Sequence, residues 1–159
     1  MLFRSDLMQW FAGGATRLKG VVDSGELADV TEAEDCAMAT LHFTNGARGL
    51  FYASNCNTLD SPLLLEIHCE HGMLQLTDNT LWRVTTDRRL KLDCDGSPDG
   101  HSKSYWGLGH QQAIRQFYHA ITHGGQTEYI NINDARKSLA MVDAIYHSSK
   151  TRQWITINN

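Results

Sequence analysis

Long apolar runs are what this sequence most lacks. None approaches the ~20 residues that a membrane-spanning helix needs, and the opening Met-Leu-Phe-Arg-Ser-Asp-Leu has no extended apolar segment of the kind that marks a secretion signal. A cytoplasmic location without membrane contact is therefore expected. An excess of positive charge is also missing. Fourteen Lys and Arg stand against eighteen Asp and Glu, a net charge of −4, and no basic patch points to nucleic acid. Cysteine pairs are absent too: Cys36, Cys56, Cys69 and Cys94 include no C-x-x-C, which argues against a disulfide framework and for buried or half-buried free thiols. The nearest approach to a dinucleotide loop is Gly107-Leu-Gly109, but Gln112 occupies the third glycine position and no strand precedes it. There is no Walker sequence and no G-x-S-x-G nucleophile elbow. The carboxylates between Ser24 and Asp35 lack the spacing of a calcium loop and read as a solvated segment.

What is present is an ordinary globular composition, 42% hydrophobic and 20% charged over 159 residues, which suits a single domain over residues 1–159. Leu63–Leu76 reads as a β-hairpin. Leu63, Leu65, Ile67 and Cys69 alternate with Leu64, Glu66, His68 and Glu70, the period of a strand. It is expected to form the middle of a sheet. A second hairpin is expected from Cys36–Phe43 and Arg48–Cys56, joined at Asn45-Gly46, the dipeptide favoured in a two-residue type I′ turn. That register would place Leu41 and Phe43 with Leu50 and Tyr52, and Met38 and Thr40 with Phe51 and Ala53. Large apolar groups would then lie on both faces, so one face is expected to pack on the chain's own helices and the other on a partner. Weaker strands are expected at Arg17–Asp23, Leu81–Val84, Leu90–Asp93 and Gln153–Ile157.

Three helices are expected. The first spans residues 2–11 and stops at Gly13-Gly14. The second, Leu108–His123, carries Ile114, Phe117, Tyr118 and Ile121 on one stripe. The third is capped by Asn133 and has a stripe of Ala135, Leu139, Val142, Ile145 and Tyr146. The fold class is thus α+β: an open, predominantly antiparallel sheet with helices on one face and the other face free for oligomerisation.

Among the histidines, His110 opens the second helix after Tyr105-Trp106-Gly107. A histidine beside two aromatics suits a small-molecule pocket, so His110, Tyr105 and Trp106 are candidate substrate-binding residues. Asn55 joins them, with Ser54 and Asn57, as a polar strand end. His119 and His123 stand four apart, but Ala120 sits where H-E-x-x-H has glutamate, and a solvated helix face is preferred over a metal site. His68 and His71 flank a hairpin turn, where they could not both point at one ion without Cys69 turning inward. No catalytic residue and no metal ligand is assigned.

The order of segments carries a resemblance. It begins with D-L-x-x-W at Asp6. Then come the acidic loop, E-D-C-A-M-A-T-L-H-F-T-N-G-A-R-G, and S-P-L-L-L-E-I-H-C-E-H-G-M-L-Q-L. It ends with G-H-Q-Q-A-I-R-Q-F-Y-H-A-I and D-A-R-K-S-L-A-M-V-D-A-I-Y-H-S-S. From about Asp6 to Ile157 this resembles the C-terminal domain of the Gfo/Idh/MocA oxidoreductases. The resemblance implies a substrate-binding and oligomerisation domain of an enzyme acting on a sugar, polyol or related small molecule. NAD or NADP would be held by a separate Rossmann domain bearing the catalytic lysine of E-K-P. It also implies a dimer or tetramer built through the open sheet face, with a Rossmann domain conceivable in trans. Within these 159 residues there is no E-K-P, and the family's histidine position, three before Asp6, is Phe3. The chain alone is therefore expected to bind no nucleotide and to be inactive; the alternative is a non-enzymatic dimerisation or partner-docking module.

Overall fold

The computed structural model describes residues 2–56, 61–94, 109–124 and 132–158, with the backbone alone at residues 2–4. The chain forms two compact units, Met1–Thr58 with Ile130–Asn159 and Leu59–Tyr129. The first contains helix α1 (Leu2–Ala12), strands β1 (Ala15–Asp23), β2 (Cys36–Phe43) and β3 (Arg48–Ser54), helix α3 (Ile132–Thr151) and strand β8 (Ile155–Thr156). The second contains β4 (Leu65–Cys69), β5 (Gly72–Thr77), β6 (Thr80–Val84), β7 (Arg89–Cys94) and helix α2 (Gly109–His123). The α+β class and the antiparallel pairing agree with the sequence reading. The strands divide into two four-stranded sheets, ordered β3-β2-β1-β8 and β4-β5-β6-β7. The Leu63–Leu76 hairpin thus supplies the β4 edge of the second sheet rather than the middle of a single one.

The first unit holds the core. Leu18, Ala37, Ala39, Leu41, Phe43 and Phe51 form the buried sheet face, and Met141, Ala144 and Ile145 of α3 lie on it. Helix α3 lies close on the sheet at Gly20. A Cβ there would stand 2.9 Å from the Met38 carbonyl oxygen and 3.2 Å from Ile145 Cγ2. The end of α3 also finishes the sheet edge. Strand β8 covers Arg17 and Leu18 of β1, and beyond it the Gly20 and Val22 N–H groups donate to Ser148 Oγ (3.0 Å) and Ser149 Oγ (3.1 Å). Two helix serines thus satisfy edge amides that a longer β8 would otherwise have to reach. Ser148 is fully buried and donates onward to the Gln153 carbonyl at 2.6 Å.

This packing corrects the expected stripe of α3. Its buried residues are Ser138, Met141, Val142, Ala144, Ile145 and Ser148, whereas Ala135, Leu139 and Tyr146 are exposed. Small polar serines took buried positions because Ser148 fits close to the β1 backbone and bonds to it while Ser138 bonds to Asp6 and Gln9 of α1, which apolar periodicity does not register. The helix begins at Ile132, so Asn133 lies inside its first turn.

The β2–β3 register also differs from expectation. Ala37 pairs with Ala53, Ala39 with Phe51, Met38 with Tyr52 and Thr40 with Leu50. The Phe43 N–H bonds to the Ala47 carbonyl at 3.0 Å, closing a three-residue loop in which Gly46 alone has positive φ, +86°. That matches a type I turn followed by a left-handed glycine rather than a type I′ turn. One residue of slip exchanges the faces. Phe51 is therefore in the core, while Leu50 and Tyr52 join Met38 and Val21 on the open face, where Leu50 is 82% exposed. Two consecutive left-handed residues, as type I′ requires, occur instead at Asp78 (φ 49°) and Asn79 (φ 55°) between β5 and β6.

In the second unit the expected alternation of β4 holds: Leu65 and Ile67 are half-buried, and Glu66 and His68 are exposed. A polar ladder crosses the sheet. Gln75 donates to Glu66 at 2.7 Å, Arg89 donates to Gln75 at 2.7 Å, and the Arg89 guanidinium sits 4.2 Å from the centre of the Trp82 ring. Helix α2 has no buried residue, and its stripe of Ile114, Phe117, Tyr118 and Ile121 is exposed. Among the described residues no two cysteines form a disulfide; only Cys36 is half-buried, and Cys56, Cys69 and Cys94 are exposed. Among the described residues no helix is long and apolar enough to cross a membrane.

Candidate functional site

The substrate-binding candidates fall in both units. His110 is exposed at the second residue of α2. Asn55 is exposed just past the end of β3, where its N–H bonds to the Asp35 carbonyl at 2.8 Å. Tyr105, Trp106 and Asn57 lie outside the described residues.

Asn55 borders a small cleft of about 40 Å³ lined by Glu34, Asp35, Cys36, Ala37, Ala53, Ser54 and Asn55. The chain builds it by running the solvated acidic segment back onto the end of the β2–β3 pair. Asp35 is the anchor. Its side chain is buried, and Oδ2 accepts the N–H groups of Gly25 (3.0 Å) and Leu27 (2.9 Å). The Leu27 bond holds its carboxyl below the ordinary value of 3.8, against the opposing effect of burial, with a smaller contribution from the Cys56 thiol. Cys56 is an exposed residue, yet local desolvation and then the Asp35 carboxylate push its thiol upward. The sulfur is thereby kept protonated, the opposite of what a nucleophilic cysteine needs. Beside the cleft the Tyr146 hydroxyl donates to Glu34, and that bond first, with burial second, pushes the phenol up to about 12. The cleft has room for about one water. Its acid is saturated by backbone donors, and no nucleophile–base pair lies among its lining residues. It organises a loop rather than a reaction.

A wider groove of about 580 Å³ runs along α3, lined by Asn133, Arg136, Lys137, Leu139, Ala140, Asp143 and Asn158. Its size falls within the range of small-molecule sites, and its rim carries charges of both signs. The sequence reading missed it because Leu139 was placed on the apolar stripe of the helix. The signal available was the polar run Asp134-Ala135-Arg136-Lys137, which keeps that side of the helix wet.

Asp6, the aspartate of D-L-x-x-W, has a structural partner. Ser138 Oγ donates to Asp6 Oδ1 at 3.1 Å, and Gln9 Nε2 reaches Ser138 Oγ at 3.5 Å, tying α1 to α3. Trp10 of the same motif is 76% exposed. On the other side of the sheet, burial first and then Arg17 and Arg48 lower the His42 imidazole, which meets Trp154 edge-on with ring centres 5.2 Å apart.

A bound dinucleotide does not fit these elements. Every strand pairing among the described residues is antiparallel, whereas a dinucleotide fold sets its pyrophosphate at a helix that follows a strand of a parallel sheet. Nor is there a group of three or more His, Cys, Asp or Glu placed to share a metal ion among the described residues.

Comparison with known proteins gives the frame for these observations. A family model described as the oxidoreductase family C-terminal alpha/beta domain, GFO_IDH_MocA_C, matches residues 2–157. The chain belongs to this family. A search of curated protein sequences gives no match. Solved structures of similar fold include an oxidoreductase from Agrobacterium radiobacter in complex with NAD+, L-tartaric acid and magnesium (20% identity, TM-score 0.79, 98% of this chain and 47% of that one). Others are a levoglucosan dehydrogenase in complex with NADH (21%, 0.73, 97% and 48%) and an aldose-aldose oxidoreductase from Caulobacter crescentus complexed with glycerol (13%, 0.74, 98% and 45%). At these identities the likeness is one of fold. The chain spans about half the length of each of these proteins.

Proposed function

We propose that this chain is the substrate-binding and oligomerisation half of an NAD(P)-dependent oxidoreductase acting on a sugar, polyol or related small molecule. The nucleotide-binding domain and the catalytic lysine and histidine would come from a separate domain. Family membership supports the reading. The observation that carries the oligomerisation role is the two-sided sheet of the first unit. One face is buried under α3, and the other leaves Val21, Met38, Leu50 and Tyr52 exposed. A second copy of the chain is the proposed occupant of that face, in a dimer or tetramer. His110, Tyr105, Trp106 and Asn55 are the proposed substrate contacts.

In the complete enzyme a nicotinamide would accept or supply hydride. The role proposed for the present residues is to bind and orient the hydroxylated substrate. Isolated, the 159-residue chain is expected to give no heat of binding with NADH or NADPH in isothermal titration. Micromolar binding of either nucleotide would overturn the assignment of that site to another domain. Titration of the chain with sugars and polyols separates this reading from a non-enzymatic dimerisation module, which would bind none of them.

A further inference from the structure

We propose that His119 and His123 form a two-imidazole site for a divalent first-row transition-metal ion on the exposed face of α2. The inference does not depend on the functional reading above. Residues four apart are neighbours on a helix surface, and here the two rings are already together: their centres are 4.4 Å apart and their planes differ by 14°. Both side chains are exposed, so metal ions reach them without opening the fold. Stacked rings hold their in-plane lone pairs side by side; turning the rings toward each other is the step that would let both Nε2 atoms meet one ion at about 2.0–2.1 Å.

The hydrogen bonds around Thr122 settle which nitrogen of His123 carries its lone pair outward. Thr122 Oγ has one proton, and that proton is directed to the Tyr118 carbonyl at 2.9 Å or the His119 carbonyl at 3.2 Å. The 2.7 Å contact between Thr122 Oγ and His123 Nδ1 must then be one in which the hydroxyl accepts. The second neighbour of Nδ1, the His119 carbonyl at 3.3 Å, can only accept. Nδ1 of neutral His123 therefore bears the hydrogen, and Nε2 is left as the unprotonated ligand atom. This is the outer-shell arrangement that orients metal-bound histidines, in which the far ring nitrogen donates to a carbonyl or similar acceptor. The spacing alone did not show it, because the tautomer is set by a threonine between the two histidines.

Two imidazoles suit Cu2+, Ni2+ and Zn2+ rather than Mg2+ or Ca2+. With Ala120 where a zinc peptidase has glutamate, the site has no general base, and its open positions would take water or a ligand from outside. Arg115, one turn before His119, is the neighbouring cation that any bound ion must tolerate.

The test is isothermal titration of the full chain with Ni2+ alone, chosen because it does not oxidise the free thiols. His119→Ala and His123→Ala are each expected to weaken the tightest site by about tenfold or more, because each turns a chelate into a single ligand. Thr122→Val keeps both imidazoles and is expected to weaken binding severalfold by releasing the tautomer. Far-UV circular dichroism of each variant verifies that α2 is retained. Unchanged affinity in the His119→Ala, His123→Ala double variant would place Ni2+ on the other histidines or the cysteines and overturn the site. Unchanged affinity in Thr122→Val would overturn the tautomer assignment.

Discussion

Gly20 decides how closely α3 lies on the first sheet. Alanine usually gains slightly over glycine by limiting the unfolded chain, but here its Cβ would press on the Met38 carbonyl oxygen and Ile145. Overpacking of this kind costs about 1–3 kcal/mol. Gly20→Ala is therefore expected to lower the urea midpoint at unchanged slope. Asp35 acts through charge. Its carboxyl is held below the ordinary 3.8 first by the Leu27 N–H bond. A carboxylate lowered on folding stabilises fully above its unfolded value and loses that contribution as pH falls through the folded one. Asp35→Asn should thus be less stable than the native chain at pH 7, and the gap should narrow below pH 4, as measured by urea denaturation at both pH values. Neither effect was visible in the sequence, where Gly20 was one strand residue among several and Asp35 one acidic loop residue among five.

At the scale of elements, the loop between β2 and β3 shows how little separates two registers. Asn45-Gly46 fits a two-residue type I′ turn and also a three-residue loop whose last position is left-handed. The two differ in the φ of Asn45 and in which face every later side chain meets. In the structure the Asn45 Oδ1 accepts the Ala47 N–H at 2.9 Å, an interaction that holds the wider loop. Nothing lies within 4 Å of a Cβ built on Gly46. Gly46→Ala should therefore cost only the left-handed conformation, about 1 kcal/mol, with unchanged circular dichroism; a loss much beyond that would mean the loop makes contacts of its own. The stripe of α3 teaches a related lesson. Leu139 and Tyr146 obey the helical period yet face outward, because Ser138 meets Asp6 and Gln9 of α1 and Ser148 meets the backbone of β1.

For the whole molecule, the open face of the first sheet is the feature with the most direct consequence. Contiguous exposed apolar groups on a sheet mark an interaction surface, and a partner of the same kind covers about 800 Å² on each side. The native chain is expected to sediment as a dimer or tetramer at tens of micromolar. Leu50→Lys with Tyr52→Lys is expected to yield a folded monomer with unchanged far-UV circular dichroism, since both residues lie off the core, and with a thermal midpoint that no longer rises with protein concentration. A native monomer in sedimentation velocity would reject the interface.

The order of helices and strands and the antiparallel hairpins were readable from the chain. They depend on local period, turn residues and motif spacing, which neighbouring residues alone determine. Only the tertiary structure decided which face of each element is buried and where the core lies. Periods of 2 and 3.6 group side chains into faces without saying which face meets the rest of the protein. That choice was made by a one-residue difference in a loop, by a glycine under a helix and by two serines that replace the missing end of β8.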